Sequence, residues 1–121
     1  MAVKNILLVE DEEIIGFLHS KQIQSLGEYR TVIVSDYDDY MNQLASKMID
    51  LVLMDVQLGI SMSGVELAKK GLAVYSTPIV FVTGDVSSVP ESVLEDVDEF
   101  KCVVQKPLRK EKIIELFDEF L

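Results

Sequence analysis

Apolar residues fall along this chain in two alternating arrangements. Short, near-continuous runs rich in β-branched residues occupy Val3–Val9, Thr31–Val34, Leu51–Met54, Ile79–Val82 and Phe100–Val104. Between and after them lie stretches whose apolar positions repeat at helical spacing. Runs of the first kind suit strands buried on both faces, and their alternation with helices is the signature of a parallel sheet covered on each side. The pattern predicts an α/β fold.

The first helix is expected from Glu12 to Leu26, with Ile14, Ile15, Phe17, Leu18 and Leu26 on one arc facing the core and Gly27 as its cap. Its acidic start suits the positive end of the helix dipole. The second, Tyr37 to Met48, sets Tyr37, Met41, Leu44 and Met48 on one face, with Ser35 or Asp36 as N-cap. The third, Gly64 to Leu72, is weakened by Gly71 and bounded by Pro78. The fourth opens Ser88-Val89-Pro90-Glu91, a capping-box pattern, and puts Val93, Leu94 and Val97 on one face. The fifth, Leu108 to Leu121, gathers Ile113, Ile114, Leu116, Phe117, Phe120 and Leu121 on an arc wide enough to leave part for a partner.

Composition narrows the functional classes. A chain of 121 residues holds one core's worth of apolar material, so residues 1–121 are expected to form a single domain. Eleven Lys and Arg against 21 Asp and Glu give a net charge of −10. Such a field repels nucleic-acid phosphates and anionic lipids and draws in cations, so neither nucleic acid nor membrane is expected as a direct partner. The lone Cys102 cannot form an internal disulfide, and no apolar run approaches the ~20 residues of a spanning helix, so a cytoplasmic location is expected.

In an open parallel sheet, ligands bind beyond the carboxyl ends of the strands. Glu10 and Asp11 follow the first strand, Asp55 the third, Thr83 ends the fourth, and Lys106 and Pro107 follow the fifth. Each has a plain structural reading when taken singly: helix-opening acids, a turn aspartate, a strand threonine, a solvated lysine. Together they do not. Three carboxylates converging on one crevice repel unless protonated or bridged by a cation, and Mg²⁺ fits, because it takes oxygen ligands and is held by few protein carboxylates beside a phosphate. The Lys106 ammonium and Thr83 hydroxyl suit phosphoryl oxygens better than a metal. A carboxylate can itself attack phosphorus to give an aspartyl phosphate, and Asp55, central in strand order, is the expected nucleophile. His19 and Cys102, without companion ligands, read as packed residues.

The segments Ile6-Leu7-Leu8-Val9-Glu10-Asp11-Glu12, Leu51-Val52-Leu53-Met54-Asp55, Val80-Phe81-Val82-Thr83-Gly84 and Lys106-Pro107 resemble, in order, the receiver domains of two-component response regulators. The resemblance covers essentially the whole chain. It implies a doubly wound, flavodoxin-like parallel sheet of order 2-1-3-4-5 flanked by five helices. It also implies a phosphoacceptor module, not an enzyme with a separate substrate, that catalyses its own phosphorylation and dephosphorylation. The donor would be a phosphohistidine on a histidine kinase or phosphotransfer protein. Asp11 and Asp55 would bind Mg²⁺ through their side chains, Gln57 through its main-chain carbonyl and Glu10 through water. Thr83 and Lys106 would hold the phosphoryl group, Gln57 and Asp85 would tune its lifetime, and the bond before Pro107 would be cis. Output would reach a downstream protein through the fourth helix, fifth strand and fifth helix, and a homodimer is compatible with that face.

Two departures stand out. Val103 occupies a position where most receivers carry a switch aromatic, which puts the mode of readout in question. The loop Gln57-Leu58-Gly59-Ile60-Ser61-Met62-Ser63 is longer than usual and lacks the common proline. Two alternatives compete: a haloacid-dehalogenase-like phosphohydrolase, which wants an aspartate where Gln57 stands, and a receiver that switches weakly and serves as a scaffold.

Overall fold

The computed structural model describes residues 3–59 and 62–121. Ile60 and Ser61, part of the unusual loop, lie outside the described residues. Strands form where large apolar residues run together: β1 (Lys4–Val9), β2 (Tyr29–Val34), β3 (Leu51–Asp55), β4 (Ile79–Thr83) and β5 (Phe100–Gln105). The helices are α1 (Glu13–Gln24), α2 (Tyr37–Ala45), α3 (Gly64–Leu72), α4 (Glu91–Asp96) and α5 (Lys110–Phe120), with a 3₁₀ turn at Val86–Ser88.

All strand pairs are parallel, in the order β2-β1-β3-β4-β5. After β1 the chain steps outward to β2 and returns to the other side of β1 for β3. The winding therefore reverses between the carboxyl ends of β1 and β3, where a crevice must open. Every residue of β3 and β4 is buried, as their unbroken apolar runs require.

Successive strand side chains point to opposite faces, which divides the core in two. On one face Leu7, Val9, Val52, Met54 and Phe81 meet Tyr40 and Leu44 of α2 and Leu67 of α3. On the other, Ile6, Leu8, Leu53, Val80 and Val82 meet Ile23 of α1 and Ile113, Leu116 and Phe117 of α5. Each such side chain, fully buried, contributes about 1.5–3 kcal/mol of transfer free energy. Val93, Leu94 and Val97 pack against the first face, as their spacing predicts.

Several local expectations are corrected. Ile14, Phe17 and Leu18 of α1 are 83%, 60% and 50% exposed, whereas Gly16, His19, Ser20 and Ile23 face inward. Small residues let α1 lie close on β2: a Cβ at residue 16 would stand 3.1 Å from Ile33, and the Ser20 and Thr31 hydroxyls are 2.5 Å apart. Of the face predicted for the second helix, Leu44 is buried and Met41 packs half-buried on the core, but Tyr37 and Met48 are exposed, Tyr40 is buried instead, and the helix ends at Ala45. Asp36, not Ser35, caps that helix, accepting from the Asp39 N–H at 2.8 Å. The capping box is absent: Pro90 stands at the N-cap of α4 with no side-chain hydrogen bond, and Ser88 closes the preceding 3₁₀ turn. Gly27 lies beyond the C-cap of α1, Ser25, in the turn to β2 with φ of 144°.

Candidate phosphoacceptor site

Asp55 closes β3 at the reversal of winding and is only 4% exposed. The Lys106 Nζ lies 3.1 Å from its Oδ1 and 3.8 Å from Oε1 of the buried Glu10. The Lys106 N–H donates to the Thr83 carbonyl at 2.7 Å, joining the ends of β4 and β5, and the Lys106–Pro107 bond is cis as expected. The Gln57 N–H donates to Asp55 Oδ1 at 3.1 Å. Asp11, exposed at the rim, accepts from the Gly59 N–H at 2.7 Å, and a Cβ at residue 59 would come within 2.6 Å of the same oxygen. A side chain there would have to push the exposed Asp11 carboxylate aside. Glycine is required at residue 64, behind the nucleophile, since a side chain there would overlap the Asp55 carbonyl oxygen.

Carboxylate oxygens of Glu10, Asp11 and Asp55 all lie within 4.8 Å of one another. One ammonium does not balance three carboxylates. Burial chiefly, and then the neighbouring Asp55 carboxylate, push Glu10 from its ordinary 4.5 up to about 7, against the opposing pull of the Glu12 N–H and Lys106. A cluster of hard oxygen donors short of positive charge fits a divalent cation such as Mg²⁺, with Glu10, Asp11 and Asp55 as the residues to hold it.

The folded protein keeps the Glu10 proton up to about pH 7, while the unfolded chain releases it near 4.5. Between those values the folded state binds more protons, so metal-free stability is expected to fall as pH rises through that window, by on the order of 3 kcal/mol. Mg²⁺ must displace the same proton, so its stabilising shift of the melting temperature should be larger at about pH 8 than at about pH 6. Thermal unfolding with and without Mg²⁺ at the two pH values checks this, and equal shifts would remove Glu10 from the metal site.

Thr83 is fully buried, and among the described residues its hydroxyl makes no hydrogen bond to Asp55. It sits 3.0 Å from Gln57 Oε1, 3.1 Å from the Asp85 carbonyl oxygen and 3.2 Å from Ser88 Oγ, and accepts from the Asp85 N–H at 3.1 Å. The exposed Asp85 side chain turns away and accepts from the Ser87 N–H and hydroxyl, which hold its carboxyl below the ordinary range. Ser88 was not singled out by sequence reasoning, because its spacing to Glu91 points to a helix cap. His19 is buried as expected of a packed residue, but it also lines a small cavity of about 10 Å³ with Glu10 and Asp55. Burial and Lys106 lower its pKa. Val103 is half-buried on β5 and lines a surface groove with Val86, Lys106 and Arg109.

The response regulator receiver domain family matches residues 6–118, and the chain belongs to it. Solved structures share the fold at low identity. A CheY-like receiver domain from Methylobacillus flagellatus superposes with a TM-score of 0.86 at 20% identity, covering 99% of this chain and 100% of that one. A CheY-like receiver from Methanospirillum hungatei JF-1 gives 0.81 at 24%, covering 98% and 93%. Vibrio cholerae chemotaxis protein CheY4 gives 0.81 at 21%, covering 99% and 100%. No curated protein gives a significant sequence match. The chain is thus a phosphoacceptor signalling module of two-component systems, a family that binds Mg²⁺ through an acidic cluster and works with kinases and downstream proteins.

Proposed function

We propose that Asp55 is the phosphoacceptor and that the chain catalyses its own phosphorylation from a phosphohistidine. The observation that carries this is the convergence of three carboxylates with the Lys106 ammonium 3.1 Å from Asp55. A carboxylate oxygen of Asp55 attacks phosphorus, the P–N bond breaks, and the imidazole leaves with the electron pair. Mg²⁺, when bound by Glu10, Asp11 and Asp55, with the Gln57 carbonyl as a further ligand, supplies charge neutralisation for the phosphoryl oxygens. Lys106 turns from carboxylate to phosphoryl oxygen, and Thr83 donates its hydroxyl hydrogen to another. Pro107 fixes the turn that carries Lys106. Gln57 and Asp85 border the phosphoryl position and set how freely water reaches it. Hydrolysis of the acyl phosphate returns the resting carboxylate.

The donor is a histidine kinase or phosphotransfer protein, and readout runs through α4, β5 and α5 to a downstream protein. Val103 offers no ring to that face, so the 3₁₀ turn after Thr83 carries the response. Gln57 in place of a second aspartate disfavours the phosphohydrolase alternative, since no general acid stands there. Among the described residues no helix is long and apolar enough to cross a membrane. Incubation with phosphoramidate, with and without Mg²⁺, followed by intact mass tests the reading. A Mg²⁺-dependent gain of a single phosphoryl group, lost on hydroxylamine treatment, is the expected result; no gain would sink it.

A further inference from the structure

We infer that Ser88 is a positioning residue for Thr83, holding the threonine hydroxyl in a resting place from which an aspartyl phosphate must withdraw it. This rests on the phosphoacceptor reading of Asp55. A hydroxyl carries one hydrogen and two lone pairs. Thr83 Oγ1 already accepts from the Asp85 N–H, so its hydrogen must go to Gln57 Oε1 at 3.0 Å, the Asp85 carbonyl at 3.1 Å or Ser88 Oγ at 3.2 Å. Ser88 donates its own hydrogen to that same Asp85 carbonyl at 2.6 Å, the shortest contact of the set. It therefore competes for the carbonyl and offers Thr83 its lone pairs instead. The fully buried Thr83 has no water to exchange for these partners.

A phosphoryl oxygen on Asp55 needs the one hydrogen that Thr83 spends here, and the two uses exclude each other. Ser88 also ends the 3₁₀ turn and precedes Val89, which is 4% exposed and packed with Phe81 and Phe100 in the core. Release of Ser88 thereby reaches the entrance of α4. Removing its hydroxyl takes one of three acceptors from the Thr83 hydrogen, leaving Gln57 Oε1 and the Asp85 carbonyl, so it weakens the resting arrangement by at most about one neutral hydrogen bond and favours the phosphoryl-bound arrangement by up to roughly ten-fold.

The test is a double-mutant cycle read with beryllofluoride, which mimics a phosphoryl group on a carboxylate, in the presence of Mg²⁺. Binding is titrated by fluorine NMR for wild type, Ser88→Ala and Ser88→Thr, each also combined with Thr83→Val. Ser88→Ala should bind tighter than wild type, by up to roughly ten-fold, Ser88→Thr should match wild type, and Ser88→Ala should have no effect once Thr83 is Val. Because Ser88 is exposed, the variants should fold, and melting curves verify it. An equal effect of Ser88→Ala in both backgrounds, or none in either, overturns the positioning role while leaving the phosphoacceptor reading in place. Failure of wild type to bind beryllofluoride overturns both.

Discussion

Asp55→Asn should take up no phosphoryl group from phosphoramidate, a fall of about 10³-fold or more, because an amide oxygen is a poor nucleophile and nothing else in the crevice replaces it. Glu10 and Asp11 stand nearby, but Lys106 lies nearest to Asp55, and it is Asp55 that ends the central strand. The substitution should not unfold the protein. It removes one of three mutually repelling carboxylates, and Glu10, whose value is raised partly by Asp55, should relax toward its ordinary range. The melting temperature without Mg²⁺ near neutral pH should equal or exceed that of wild type. Intact mass and a thermal scan check both statements, and label on Asp55→Asn at the wild-type rate would place the acceptor elsewhere.

Lys106→Met tests the opposite side of the balance. Methionine keeps most of the aliphatic stem but deletes the cation 3.1 Å from Asp55, so the phosphoryl oxygens lose a fixed positive charge and transfer should slow by about 10²–10³-fold. Here stability should suffer as well. Asp55 is left 4% exposed without its cation, at a cost on the order of 1–3 kcal/mol, below that of a fully buried pair because the lysine is 28% exposed. Mg²⁺ should recover much of this loss by supplying the missing charge. Urea unfolding at slightly alkaline pH, with and without Mg²⁺, measures the recovery; a variant as stable as wild type without metal would show that the pair carries no net stability.

The sheet was legible because strands buried on both faces must be apolar throughout, as Leu51–Met54 and Ile79–Val82 are. The site was legible because its polar residues interrupt those runs at their carboxyl ends. What was not legible is how helices orient. Hydrophobicity alone put Ile14, Phe17 and Leu18 against the core, but the contact with β2 is made by Gly16 and by Ser20 bonded to Thr31, where closeness outweighs apolar area. Likewise α2 buries Tyr40 beside the predicted Leu44, an i, i+4 pair that leaves Tyr37 outside. Ser88 misled because a capping box is a local pattern, while the competing partners, Thr83 and the Asp85 carbonyl, are fixed by the fold.

The position of β3, third of five strands and buried along its whole length, bears on how the molecule breathes. Its amides are bonded to strands on both sides, so their hydrogens should exchange with solvent only when the entire sheet opens. The loops after β1, β3 and β4, which bring Asp11, Gln57 and Ser88 to the crevice, lack that protection and should exchange faster by orders of magnitude. The acceptor carboxylate is thus anchored in the slowest-exchanging part of the protein and ringed by the fastest, so a phosphoryl group meets an immobile atom inside a frame that can rearrange without unfolding.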